Sequence, residues 1–251
     1  MLEYEVFKFS NENLTAYQQL YDFNGARVLS IGGSGDQYFT AILNGAEEVT
    51  LFDKNPYFWP YFVAKFCAIQ NLSYGEFCEL FIRKATFHEI FQEVESLLSS
   101  KERSAIRDVI KKNFIEYQIG YLAKDIKRMI LADCVPYLQV TRYKELQQKL
   151  QGRSLPDVYF SDIRNLPKEV GDKSYDIMLA SNIYQWISRE ISARDYLCLL
   201  NNFNCQTFQA MYSFCEFPPY SLFNEMCTKT PVKGWWAHSQ EIDYVYTYQK
   251  K

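Results

Sequence analysis

The chain has few of the residues on which metal sites and disulfide-rich folds depend. Its two histidines, His88 and His238, are too few for a rich acid–base or metal site, and no bound metal is expected. The cysteines are odd in number and none forms a C-x-x-C pair, so neither a disulfide framework nor a zinc site is supported. Reduced thiols in a cytoplasmic protein are therefore expected. The seven cysteines are Cys67, Cys78, Cys134, Cys198, Cys205, Cys215 and Cys227.

Basic charge and long apolar runs are also scarce. The 27 Lys and Arg residues face 30 Asp and Glu residues, and this net charge of −3 lacks the electrostatic footprint of a nucleic-acid binder. No stretch approaches the roughly 20 apolar residues of a membrane span. Residues 1–5 lack the basic and apolar pattern of a signal peptide. No nucleic-acid partner and no transmembrane segment are therefore expected, although contact with a membrane surface remains compatible with the chain.

Apolar and aromatic residues are abundant. Hydrophobic residues make up 48% of the chain and charged residues 23%, which is typical of a globular protein. The 20 Tyr and 19 Phe residues predict an aromatic core, and they would equally suit an aromatic-lined pocket. The length of 251 residues accommodates one α/β domain with a large insertion, which is the organisation predicted for residues 1–251.

Short apolar runs alternate with helix-like segments along most of the chain. Strands are predicted at about 27–31, 49–53, 156–161, 175–180, 206–214 and 241–248, with helices at about 13–21, 57–71 and 188–203. Residues 72–150 predict an inserted block of helices, far longer than an ordinary connection, which we expect to be a lid or substrate cover. The predicted fold is α/β: a Rossmann-like, mostly parallel sheet with this insertion between its second and third strands.

Polar residues follow four of the predicted strands. The sequence I-G-G-S-G-D at residues 31–36 forms a glycine-rich turn that lets a nucleotide approach the backbone closely. Asp53 would accept hydrogen bonds from ribose hydroxyls, Asp162 and the backbone of Ile163 would take an adenine amino group, and residues 181–182 close the fourth strand. All would meet at the carboxyl edge of the sheet. The predicted cofactor-binding residues are Gly32, Gly33, Ser34, Gly35, Asp53, Lys54, Asn55, Asp162, Ile163, Ser181 and Asn182.

Structural interpretations of the same residues stay open. The glycines alone predict an ordinary strand-to-helix turn, and Asp53 alone could cap the helix that begins near Pro56. A dinucleotide is disfavoured because Tyr38 stands where the G-x-G-x-x-G pattern needs a third small residue. Asp36 would also repel a pyrophosphate at the helix N-terminus, whereas it suits the ammonium group of an amino-acid end.

The glycine turn and the strand-end acids resemble the class I S-adenosylmethionine-dependent methyltransferases. The first motif of that superfamily matches residues 31–36, its second-strand acid matches Asp53, and its third-strand acid matches Asp162. The resemblance covers about residues 27–54 and 156–214. It implies the class I methyltransferase fold and S-adenosylmethionine as the cofactor.

A closer likeness is to the S-adenosylmethionine:diacylglycerol 3-amino-3-carboxypropyltransferase-like family of betaine-lipid synthesis. The resembling stretches are residues 11–13, 27–31, 52–56, 64–69 and 72–77, together with the helical block. The chain departs from that family at residues 10–13, which read S-N-E-N instead of an aromatic residue, an acid, Asp and Pro. Only about one clear strand follows Pro219, and residues 235–238 are the candidate for its missing antiparallel partner.

The resemblance implies a transferase, most simply a methyltransferase acting on a small-molecule or lipid acceptor. The alternatives are 3-amino-3-carboxypropyl transfer from the same cofactor, a non-catalytic cofactor-binding module and a nicotinamide-dependent oxidoreductase. Asn182 and Tyr184 are candidates for holding the acceptor, or else a helix cap and a packed aromatic. Tyr57 and Trp59 could pack against adenine, although a place in the core of their helix is the simpler expectation.

Overall fold

The protein is built on a twisted sheet flanked by helices. The computed structural model describes residues 6–83, 87–113, 119–120, 133–214, 221–234 and 242–250. The strands are β1 (Val6–Phe7), β2 (Arg27–Ile31), β3 (Glu48–Phe52), β4 (Ile119–Gly120), β5 (Val158–Tyr159), β6 (Ser174–Leu179), β7 (Asn204–Ser213), β8 (Thr228–Lys233) and β9 (Ile242–Gln249). The helices are α1 (Leu14–Tyr17), α2 (Asp36–Leu43), α3 (Phe58–Asn71), α4 (Tyr74–Cys78), α5 (Phe87–Val94), α6 (Ser100–Asn113), α7 (Val140–Leu150), α8 (Leu166–Val170), α9 (Ile183–Ile187), α10 (Ala193–Leu200) and α11 (Ser221–Met226).

The main sheet has seven strands in the order β5-β3-β2-β6-β7-β9-β8. The strands from β5 to β7 run parallel, and β9 pairs antiparallel with both β7 and β8. The chain order reverses at β2, which has β3 on one side and β6 on the other. In open sheets of this kind, ligands bind beside such a reversal at the carboxyl ends of the strands. The predicted fold class, a mostly parallel α/β sheet, is confirmed.

The antiparallel edge of the sheet contains a strand, β8, that the sequence pattern did not predict. The outer partner of β9 is β8, and β7 occupies the other side of β9. The sequence pattern offers residues 235–238 as the candidate for that partner. Those residues themselves lie outside the described part of the chain. Pro231 hid the strand from the sequence pattern, because proline lacks the N–H that an interior ladder needs. At the outer strand of the sheet this loss is tolerated.

Helix α3 organises the packing on one face of the sheet. Its side chains are buried from Phe58 to Ile69, which agrees with the predicted helix at 57–71. The ring of Phe62 stacks between those of Phe39 and Trp59, with centroids 5.4 and 5.5 Å apart. Trp59 and Tyr57 are therefore core residues, as the simpler expectation had it.

The insertion is helical over its described residues. It contains α4 to α7, with a π-helical turn at Glu79–Arg83 and a 3-10 turn at Pro136–Leu138, and it packs largely against α3. The two-residue strand β4 also belongs to it and pairs with β1 near the N-terminus, which the sequence pattern did not predict. Among the described residues, no helix combines the length and the apolar character needed to cross a lipid bilayer.

Candidate functional site

A cavity of about 320 Å³ lies beside the carboxyl ends of β2, β3, β5 and β6. This volume falls in the range of small-molecule sites, which are typically roughly 300–1,000 Å³. One part of its lining is apolar, and the rest carries the polar residues that follow the strands. The apolar lining consists of Phe7, Ile31, Phe52, Phe58, Ile163, Ile183, Trp186 and Ile187.

The glycine-rich turn serves packing and ligand access at different positions. A Cβ on Gly32 would lie 2.4 Å from the ring of Phe58, and one on Gly35 would lie 2.7 Å from the ring of Phe62. Both glycines therefore let α3 approach the turn, and neither lines the cavity. Gly33 and Ser34 do line it. Gly33 has a φ of +46° and open space around its Cα, so the backbone itself forms that wall.

Asp53 is fixed by two backbone donors on its flanks. The N–H of Gly33 donates to Oδ2 and the N–H of Asn55 donates to Oδ1, each at 2.9 Å. Although part of Asp53 faces the cavity, its removal from bulk water raises the pKa to about 6, and these two hydrogen bonds limit the rise. Asn55 rather than Asp53 accepts from the N–H of Tyr57 at the start of α3, so the helix-cap interpretation of Asp53 is wrong.

Asp162 lines the same cavity and is held by its own neighbour. Arg164 donates to both carboxylate oxygens: its Nε donates to Oδ1 and its Nη2 donates to Oδ2, each at 2.7 Å. The same guanidinium also forms an ion pair with Glu190. This bonding holds the pKa of Asp162 below its ordinary value. The site therefore presents an acceptor whose ionised form is favoured, next to the buried side chain of Ile163.

Ser181 and Asn182 follow β6 at the opposite side of the cavity. Ser181 has a φ of +56°, an unusual value for a residue with a Cβ, and its N–H donates to Gln209 Oε1 at 3.0 Å. Asn182 Oδ1 accepts from the indole Nε1 of Trp186 at 3.2 Å. Trp186 is 48% exposed, so this bond holds an aromatic surface at the mouth of the cavity.

Tyr184 does not join this group. Its ring is buried between Tyr196 and Phe223, with centroids 5.1 and 4.9 Å away, and it does not line the cavity. The candidate role of Tyr184 in holding an acceptor is therefore wrong, and the packed-aromatic interpretation is right. Residue 184 points inward because α9 turns that face onto β7 and α11.

Asp36 is also turned away from the cavity. Its carboxylate pairs with Lys65 at 2.8 Å, with both side chains 0% exposed, and accepts from the N–H of Ser10 and the hydroxyl of Tyr137. The idea that its charge selects an ammonium group is therefore wrong, since Lys65 already neutralises it. A lysine in the apolar run of α3 was the available signal, because a buried ammonium requires a partner.

A second buried acid, Glu12, was not predicted as a site residue. It is 0% exposed and lies directly behind the cavity wall, where Ser181 Oγ donates to its Oε1. Tyr17 donates to Oε2 at 2.8 Å and Gln37 Nε2 at 3.3 Å. Burial raises the pKa of Glu12 to about 7 against the opposing effect of these donors. Nothing in the local pattern marks Glu12, because its partners Gln37 and Ser181 are 25 and 169 positions away in the chain and Tyr17 alone is near.

The described residues hold no cluster of His, Cys, Asp and Glu suited to a metal ion. The cysteines that the structure describes are free thiols: Cys67, Cys78, Cys134, Cys198, Cys205 and Cys227. His88 is exposed and its Nε2 lies 3.0 Å from Gln92 Nε2. His238 lies outside the described residues.

Comparison with known proteins gives matches among solved structures. No family model matches the chain, and no curated protein does. The chain is similar to WbdD, solved with the kinase inhibitor LY294002, at 9% identity and a TM-score of 0.40 over 89% of this chain and 36% of that one. The 16S rRNA methylase RmtB gives 11% identity and a TM-score of 0.41 over 95% and 64% of the two chains. The putative RNA methyltransferase PH1948 from Pyrococcus horikoshii gives 12% and 0.35 over 93% and 79%.

This chain spans less than two thirds of the length of WbdD and of RmtB. None of these three TM-scores reaches 0.5, so the fold assignment rests on the strand order of the chain itself. Two of the three structures are named as RNA-modifying enzymes. The expected absence of a nucleic-acid partner stays a prediction.

Proposed function

We propose that the protein is an S-adenosylmethionine-dependent transferase of the class I type, in the first instance a methyltransferase with a small-molecule or lipid acceptor. The observation that carries the proposal is the convergence of four strand ends on one cavity. The glycine turn, Asp53, Asp162 and residues 181–182 all line it, as expected for a nucleoside cofactor at a chain reversal.

The donors and acceptors of the cavity fit this cofactor. Asp53 keeps lone pairs beyond the two backbone bonds, which suits a ribose diol. Asp162 and the backbone of Ile163 offer an acceptor and a donor beside an apolar wall, which suits an adenine edge and face. The proposed binding set remains the predicted one, with Gly32 and Gly35 acting through packing: Gly32, Gly33, Ser34, Gly35, Asp53, Lys54, Asn55, Asp162, Ile163, Ser181 and Asn182.

The chemistry asks little of the protein beyond positioning. When bound, S-adenosylmethionine supplies an alkyl group on a sulfonium, whose leaving thioether is neutral. Catalysis can then come mainly from holding the acceptor in line, which can supply several kcal/mol, on the order of 7–11 in favourable cases. Asn182 and Trp186 lie where they would shape that position.

Transfer of a 3-amino-3-carboxypropyl group is the second candidate. It is supported by the sequence likeness at residues 52–56, of which Asp53, Lys54 and Asn55 line the cavity. The product separates the two reactions, since methyl transfer leaves S-adenosylhomocysteine and the alternative leaves methylthioadenosine. A cofactor-binding module without turnover would give neither product, and an oxidoreductase would bind NAD instead.

The organisation proposed for the chain is a single domain at 1–251 in which the insertion at 72–150 covers the acceptor side. The described lining of the cavity contains no residue of that insertion. The pairing of β4 with β1 supports the proposal, because Phe7 of β1 does line the cavity. The free thiols of the described residues are compatible with a cytoplasmic location.

Calorimetric titration with S-adenosylmethionine and, separately, with NAD tests the cofactor. We expect micromolar binding of S-adenosylmethionine, weakened about 10- to 100-fold in Asp53→Ala, because hydrogen bonds to a charged group are lost. Asp157→Ala is the matched control, since that aspartate is exposed and pairs only loosely with Lys173, at 3.4 Å. Preferential NAD binding, or equal affinity of wild type and Asp53→Ala, would show that the cofactor assignment is wrong.

A further inference from the structure

The hydroxyl of Ser181 separates the buried carboxyl of Glu12 from the cavity. Ser181 lines the cavity, and its Oγ donates to Glu12 Oε1 on the other side of the wall. Tyr17 and Gln37 occupy the second oxygen. Gln37 also lines the cavity, so the carboxyl is connected to it through two side chains.

This carboxyl has no cation to compensate for its burial. Glu12 takes part in none of the ion pairs among the described residues, in contrast to the equally buried Asp36 with its Lys65. The groups that face it from the surrounding elements are the hydroxyls of Tyr17 and Ser181 and the amides of Gln37 and Gln209. Tyr212 and, beyond it, Asp243 lie further out and bond each other at 2.7 Å.

A cation arriving in the cavity would therefore change the protonation of Glu12 more than that of a compensated acid. Burial already brings the pKa of Glu12 to about 7, where a small change in local charge converts one form into the other. The cofactor that we propose differs from its product in one respect that matters here: the sulfonium is cationic and the thioether is neutral.

We infer that Glu12, acting through the Ser181 hydroxyl, is the proton-accepting group of this site, ionised while a sulfonium occupies the cavity and protonated once that charge is gone. This inference rests on the proposed function. It defines the acceptor class as molecules that lose an N–H or O–H proton on alkylation, rather than acceptors without one.

The proton balance of the transfer is simple. The acceptor's lone pair bonds to the transferred carbon, and the electron pair of the broken C–S bond stays on sulfur. Ser181 Oγ takes the acceptor's N–H or O–H proton while passing its own proton to Glu12 Oε1. Glu12 stays protonated while the cavity holds no cation, and it releases the proton to solvent when the next sulfonium binds, which restores the ionised state.

Proton counting by calorimetry tests the inference without any acceptor. S-adenosylmethionine and S-adenosylhomocysteine are titrated into the protein at pH 7 in two buffers of different ionisation enthalpy. Because both ligands share the ribose that contacts Asp53, their difference isolates the sulfonium charge. Because the pKa of Glu12 is about 7, a nearby unit charge that drives the carboxyl to its ionised form at pH 7 would make S-adenosylmethionine release on the order of half a proton more.

Two variants make the result specific to Glu12. In Glu12→Gln both ligands should bind and release equal numbers of protons. Tyr17→Phe removes a donor to the carboxylate without touching the cavity lining, so the difference between ligands should persist and move to higher pH. Circular dichroism melting checks that each variant is folded.

Equal proton release for the two ligands in the wild type, or a difference that survives in Glu12→Gln, would overturn the inference while leaving the cofactor assignment intact. Failure of both ligands to bind the wild type would instead overturn the proposed function, and the inference with it.

Discussion

At the scale of single residues, the site combines acids with different electrostatic surroundings. Asp162 is held ionised by Arg164, whereas Asp53 has only backbone N–H donors and a pKa raised to about 6. Glu12 is fully buried, and its burial raises the pKa further, to about 7. The three carboxyls therefore respond differently to the same change in pH, and two of them titrate where binding can be measured.

The affinity for S-adenosylhomocysteine, which lacks the sulfonium charge that we link to Glu12, should fall at acid pH because of Asp53. In the proposed complex the ribose hydroxyls would donate to the carboxylate, so binding would favour its ionised form and the affinity would be full well above pH 6. Below pH 6 the raised pKa leaves the carboxyl protonated, and the affinity should fall by up to about tenfold per pH unit. Calorimetric dissociation constants from pH 5 to 8 check this.

The matched variant is Asp53→Asn, which keeps the shape of the side chain but cannot titrate. Its affinity should be weaker at pH 8 and nearly constant between pH 5 and 6. An acid-side slope as steep as that of the wild type would assign the pH dependence to another group.

At the scale of elements, the contact between the glycine turn and α3 sets the shape of the cavity. Phe58 of α3 lines it, and Gly32 lets that ring approach the end of β2. The pattern of apolar runs was sufficient to predict α3 and the parallel strands, since their buried residues are continuous in sequence. It could not separate the glycines that face the cavity from those that face a neighbouring helix.

Gly32→Ala should test this contact directly. The added Cβ would lie 2.4 Å from the ring of Phe58, and the backbone of Gly32 has no positive φ to complicate the result. We expect a loss of about 1–3 kcal/mol of unfolding free energy from overpacking, together with weaker cofactor binding. Urea denaturation and calorimetry measure the two effects.

Gly75→Ala in α4 is the control, because its Cβ would meet nothing closer than 4.0 Å. Alanine favours a helix over glycine by roughly 0.5–1 kcal/mol, so this variant should be as stable as the wild type or slightly more so. Equal stability of the two alanine variants would mean that the ring of Phe58, or α3 itself, shifts at little cost to accommodate the added Cβ.

At the scale of the whole molecule, one buried ion pair joins segments far apart in the chain. Lys65 of α3 bonds Asp36 and the carbonyls of Lys8 and Ser34, and Tyr137 of the insertion reaches the same carboxylate. These contacts unite the N-terminal segment, the glycine turn and the insertion. Sequence patterns predict local elements, and such long-range polar contacts could not be read from them, which is also why Glu12 was missed.

Lys65→Met should therefore destabilise the whole protein. It would leave Asp36 buried without its partner, which costs about 3–5 kcal/mol in comparable cases. Arg83→Met is the control, since its ion pair with Glu79 is largely exposed and should contribute little. Urea denaturation of both variants measures the difference, and a similar small effect in both would mean that water or rearrangement compensates Asp36.

The N-terminal segment has a further consequence for how the protein is made. Glu12 bonds Ser181, and Asn13 bonds the hydroxyl of Tyr212 and the carbonyl of Lys233, so this segment is anchored by residues that follow it by 169 to 220 positions. Since a ribosome adds roughly 5–20 residues per second, this wall of the cavity stays open for many seconds of translation. A nascent chain stalled before residue 233 would lack part of these contacts, and full binding competence should appear only after that residue has been added and has left the ribosome.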